Sequence, residues 1–71
     1  MMTIKEYFDH IEELFGFDTR YEVEDELWER YNWNEEFDIK AWAVEHKIDL
    51  DIKYRNTQHT VFEHWCWDHC E

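Results

Sequence analysis

The eight residues from Ile48 to Arg55 place the strongest constraint on how this chain folds. Ile48, Asp49, Leu50, Asp51, Ile52, Lys53, Tyr54 and Arg55 alternate apolar and charged without a break, the period-two pattern of a strand with one face buried and the other in water. Beyond Asn56, Thr57 and Gln58, residues Thr60 to Trp67 are rich in β-branched and aromatic side chains. That composition favours a second strand, paired with the first as a hairpin.

Upstream, the period changes to that of helices. Thr3, Ile4, Lys5 and Glu6 form a capping-box sequence, in which the Thr hydroxyl meets a first-turn backbone N–H and the Glu reaches back. Ile4, Tyr7, Phe8, Ile11, Leu14 and Phe15 then recur at helical spacing, and Gly16 followed by Phe17 marks a left-handed stop. Sixteen residues on, the grammar returns: Thr19 matches Thr3, Glu22 matches Glu6, Asp25 matches Asp9, Glu29 matches Glu13, and Asn32-Trp33 matches Gly16-Phe17. Val23, Leu27 and Tyr31 are the inner stripe of this second helix, with Trp28 beside it. An internal duplication and a chance likeness of two capped amphipathic helices both explain the match, and both predict two similar helices joined by a short loop.

Residues 34–47 admit two readings. Asn34, Glu35 and Glu36 can open a third helix with Phe37, Ala41, Val44 and Ile48 inside, but that stripe leaves out Ile39, Trp42 and Ala43, and Glu36 to Ala41 alternates polar and apolar. A lone two-stranded hairpin is marginal in water, whereas three strands backed by helices are stable, so a strand is preferred here. The expected architecture is α+β: two N-terminal amphipathic helices followed by a three-stranded antiparallel meander, with the helices over Ile48, Leu50 and Ile52. The alternative is three helices plus a C-terminal β-hairpin.

At 71 residues the chain is expected to be a single small domain, 1–71, of a size at which a core gives only about 3–5 kcal/mol unless its side chains are large. Here they are: five Trp, five Phe and four Tyr make up 20% of the sequence, each ring burying about 150–250 Å² when enclosed. Two Cys, with no apolar leader and no run near the roughly 20 residues that span a bilayer, point to a reducing, cytoplasmic setting.

Catalysis finds little support in these residues. The chain has no Ser, no Gly-rich phosphate loop and no HExxH pair, so it is not expected to be an enzyme or to carry a cofactor. His59, His64, Cys66, His69 and Cys70 place five possible zinc ligands in twelve residues, and on a strand His64 and Cys66 would share a face. The separated ligand pairs usual in structural zinc sites are missing, so no metal is expected. A zinc-stabilised adaptor using His64, Cys66, His69 and Cys70 is the third-ranked reading.

Charge is the sharper lead. The net charge is −12, and residues 1–36 hold twelve acids against three bases. Such a chain is repelled by nucleic acid and anionic membranes and attracted to basic surfaces. Glu6, Asp9 and Glu13 line the back of the first expected helix; Glu22, Asp25, Glu26 and Glu29 line the back of the second, followed by Glu35 and Glu36. Carboxylates one helical turn apart repeat at about 6 Å, on the few-ångström scale of duplex phosphates, so these rows can imitate part of a duplex. Trp33 and Trp42, on no secure inner stripe, are the candidate aromatic anchors. An ordinary solvated helix face explains each row singly, but ordinary solubility needs a net charge of only about 2–8.

In composition, over its whole length and without any shared motif, the chain resembles phage-encoded inhibitors that disable host restriction or CRISPR enzymes. The resemblance implies a host-cytoplasmic viral protein that occupies the basic surface of a nucleic-acid-binding enzyme. The alternative is a non-mimic interaction module or homodimer that works through exposed aromatics.

Overall fold

The computed structural model describes residues 1–69. The order of elements is β1 (Met2–Thr3), α1 (Ile4–Phe15), α2 (Phe17–Trp33), α3 (Ile39–Glu45), β2 (Ile48–Asp49) and α4 (Val61–His69). Among the described residues there are thus four helices and one two-stranded sheet, and the sheet is parallel, pairing Met2 with Ile48 and Thr3 with Asp49. The expected three-stranded antiparallel meander is not formed. The alternative of three helices plus a hairpin fails too, because its second hairpin arm is helical.

The first helix follows its sequence signals. The Glu6 N–H donates to Thr3 Oγ1 at 3.1 Å, capping α1, and the helix ends at Gly16, whose N–H donates to the Glu12 carbonyl at 2.8 Å. Gly16 alone joins α1 to α2, at φ 96° and ψ 169°, a region open essentially to glycine. A Cβ at this position would meet nothing within 4 Å, so the demand for glycine comes from the backbone and not from crowding. The second helix departs from expectation at both ends. It starts at Phe17, leaving Thr19 inside the first turn, and it runs through Asn32 to an extended Asn34 with φ −116°. The left-handed stop expected at Asn32 does not occur.

Where a strand was expected around residues 36–44, Asp38 caps α3: its carboxylate accepts from the N–H groups of Lys40 and Ala41 at 3.0 and 3.2 Å. The inner stripe is Ile39, Trp42 and Ala43, the residues that the alternative helical reading left outside, while Ala41 and Val44 face water. The alternating run after α3 pairs only at its start. Ile48 is buried, but the Asp51 N–H turns back to Asp49 Oδ1 at 2.9 Å, and Ile52 is exposed. This local side-chain bond competes with extension of the ladder.

A remnant of the hairpin survives beyond it. Lys53 and Thr60 form an antiparallel bridge, with Tyr54 N–H donating to the His59 carbonyl and Val61 N–H to that of Ile52. The second arm then stops, because Thr60 Oγ1 accepts the Glu63 N–H at 3.1 Å and opens α4. Thr60-Val61-Phe62-Glu63 repeats the Thr3 to Glu6 grammar, and Val61, Phe62, Trp65 and Cys66 fall at helical spacing.

Ile4, Phe8, Leu27, Ala43, Ile48 and Trp65 form the buried core. Trp65 is its junction: it stacks on Phe8 with ring centres 5.9 Å apart, meets Trp28 edge-on at 5.8 Å and stacks on Phe62 at 5.8 Å. Phe8→Ala is expected to cost about 3–5 kcal/mol, and Gly16→Ala about 1–3 kcal/mol through backbone strain. Both should lower the urea midpoint with little change in the slope of the transition.

Candidate interaction surfaces

The acidic residues singled out by sequence lie at the surface, but they do not form one unbroken row. Arg20, on the first turns of α2, is the reason. Its guanidinium donates to Asp9 Oδ1 and lies 3.8 Å from Glu12 and 3.5 Å from Glu24. It thereby draws Asp9 out of the α1 row and pins the two helices together. Burial pushes the Arg20 pKa down, but the Asp9 hydrogen bond and the charges of Glu24, Asp9 and Glu12 overcome this and hold it above its ordinary value. On α2, Arg30 sits 2.7 Å from Glu26, and Asp25 is half-buried. Glu6, Glu13, Glu22, Glu29, Glu35 and Glu36 remain exposed without an ion pair among the described residues.

Of the two expected anchors, Trp33 is 78% exposed at the end of α2. Trp42 is half-buried, edge-on to Tyr7 at 5.6 Å and stacked on His46 at 4.7 Å. Helical phase puts Trp42 on the inner face of α3, so it contributes packing there.

The cluster proposed for zinc is dispersed. On a helix, residues two apart point to nearly opposite sides, so the shared face expected for His64 and Cys66 on a strand is lost in α4. His69 lies against Trp28 and Trp65, with its Nδ1 directed at the Trp65 carbonyl oxygen at 2.9 Å. Cys70 lies outside the described residues, and among the described ones no three metal-ligating side chains converge. His59 and His64 instead join an aromatic group with Tyr54 and Trp67.

Beneath this group is a cavity of about 190 Å³ lined by Lys5, Tyr54, Val61, His64, Trp65 and Asp68. Two of its lining residues carry buried nitrogens without a hydrogen-bond partner, His64 Nε2 and Trp65 Nε1. A space of this size is large enough to admit water to both nitrogens.

A surface missed by the sequence reading lies at the α1–α2 corner. Leu14 and Phe15 on one side of Gly16, and Phe17 and Tyr21 on the other, are 59%, 68%, 64% and 57% exposed. The inner stripe of α1 is buried at Ile4 and Phe8 but runs on past the core, leaving its last turn uncovered. Phe17 and Tyr21 stand one turn apart with ring centres 6.3 Å apart, and with Asp18 and Glu22 they bound an open groove of about 330 Å³. The run Leu-Phe-Gly-Phe carried the signal, since three large apolar residues around so tight a turn are hard to bury together.

Compared with known proteins, the chain matches no family model, no curated protein and no solved structure. Among the described residues, no helix is long and apolar enough to cross a membrane.

Burial raises the pKa of Tyr7 above the usual 10.0, and that of Tyr31 likewise, with a smaller contribution from Cys66. Folding therefore favours the neutral phenols, and the unfolded chain releases these protons first. Their contribution is intact below pH 10 and is lost as pH rises through the folded values. Denaturant titrations above pH 10 should show falling stability, with a shallower fall in Tyr7→Phe.

Proposed function

We propose that this chain is a small, non-catalytic protein-interaction module of the cytoplasm that docks a partner through the α1–α2 corner. The observation that carries this reading is the exposure of Leu14, Phe15, Phe17 and Tyr21 around Gly16. Large apolar side chains exposed close together on a small protein cost solubility and mark contact sites, and aromatic anchors dominate interface energetics. Trp33, at the opposite end of α2, is a secondary contact.

A second reading is favoured by a separate observation. Glu22, Glu29, Glu35 and Glu36 are exposed and lack ion pairs among the described residues, which suits a carboxylate surface that occupies the basic site of a nucleic-acid-binding defence enzyme, as a viral inhibitor does. Arg20 and Arg30 weaken this reading, because they neutralise Asp9, Glu24 and Glu26 within the same rows.

The two readings separate in one capture experiment using immobilised protein, with mass spectrometry of what is retained. A partner held by wild type and by Glu29→Lys/Glu35→Lys/Glu36→Lys, but lost from Phe15→Ser/Phe17→Ser, is the result expected for the corner. The reverse pattern, with retention falling steeply as salt rises, would instead support the carboxylate surface.

A further inference from the structure

We infer that the α1–α2 corner receives a basic amphipathic helix of a partner protein and not a second copy of this chain. This names the partner of the interaction module proposed above and rests on that reading. Three features of the corner lead to it.

The first is the charge around the apolar side chains. Glu13, Asp18 and Glu22 are exposed at the corner and make no ion pair among the described residues. The one base within this stretch, Arg20, has its guanidinium committed to Asp9, Glu12 and Glu24, and its side chain is only 19% exposed. Along the helices the next bases, Lys5 and Arg30, lie nine residues from Leu14 and Tyr21, about 14 Å away and beyond the roughly 8 Å screening length at physiological salt. Apolar side chains flanked by Glu13, Asp18 and Glu22 are complementary to an apolar ridge with Lys or Arg at its flanks.

The second feature opposes self-association. A two-fold dimer would lay this patch on itself, bringing one set of Glu13, Asp18 and Glu22 close to the other in a chain of net charge −12. Like charges apposed across an interface oppose its formation.

The third is shape. Phe17 and Tyr21, one turn apart on α2, form an i, i+4 ridge beside an open depression bounded by Asp18 and Glu22, a surface suited to ridges-into-grooves packing of a second helix. The corner backbone is already bonded within the helices, with Gly16 N–H to Glu12 O and Arg20 N–H to Gly16 O, so it has no strand edge to extend. A helix laid along this ridge is the recognition mode the geometry suits.

The test uses two labelled peptides, each about five turns long, with the same leucine stripe but with Lys on the flanks of one and Glu on the flanks of the other. Fluorescence anisotropy follows both against wild type, against Phe15→Ser/Phe17→Ser/Tyr21→Ser, which keeps the net charge, and against Asp18→Lys/Glu22→Lys. Circular dichroism confirms that the variants fold, as substitution at exposed positions predicts. The Lys peptide should bind wild type, lose about tenfold or more in affinity for the apolar variant, and yield to the Glu peptide on the charge-reversed variant.

Equal binding of the Lys peptide by the apolar variant would overturn the inference, since nonspecific attraction to an acidic protein would then suffice. Binding of the Glu peptide to wild type as tightly as the Lys peptide, with both lost from the apolar variant, would refute the basic partner and leave the corner as a docking surface. Failure of both peptides would refute the corner itself. A concentration-dependent dimer in sedimentation, abolished in the apolar variant, would identify a second copy as the occupant and overturn the inference.

Discussion

The stack of Trp65 on Phe8 is the contact on which the rest of this structure depends. It joins the last described helix to the first, and the rings of Trp28 and Phe62 close around the same indole. With six buried apolar residues among those described, the chain has little other area with which to offset its conformational entropy. Large rings compensate, each contributing about 1.5–3 kcal/mol when fully buried. The two-stranded parallel sheet adds a clamp, holding Met2–Thr3 beside Ile48–Asp49, so that the start of α1 and the segment after α3 meet at Ile4 and Ile48 in the core.

Much of the helical half was legible because its signals are local. Thr3, Glu6 and Gly16 set the ends of α1 as their chemistry dictates. The second half misled because two local signals conflicted. Alternation from Ile48 to Arg55 argued for a long strand, and the aromatic content of Thr60 to Trp67 argued for its partner. Yet Thr60 and Glu63 form the same cap as Thr3 and Glu6, and the side chains that follow bury at helical spacing. Intrinsic β-preference chiefly records fit to a half-buried surface, and here a capped helix buries Trp65 instead. Asp38 likewise set α3, and with the helix starting there Ile39, Trp42 and Ala43 become its inner face.

The candidate surface was less legible than the fold. Amphipathic spacing identifies a stripe but does not say how far along it the core extends, so Leu14 and Phe15 read the same as Ile4 and Phe8. Only the placement of α4, over the start of α1, exposes the far end. Spacing also hid the role of Arg20, whose ion pairs with Asp9 and Glu12 depend on the tight reversal at Gly16. That one side chain turns part of an apparent carboxylate row into a link between helices. Net charge, a property of composition, survives unchanged, but Arg20 and Arg30 break the carboxylate rows into shorter segments.

Nuclear magnetic resonance mapping of the Lys-flanked helical peptide, or of any partner the capture yields, onto this chain tests the proposed corner most directly. Amide and aromatic shifts confined to Leu14 through Glu22 on addition of peptide or partner are the result predicted. Shifts centred on Glu29, Glu35 and Glu36, with the rings of Phe15, Phe17 and Tyr21 undisturbed, would contradict it.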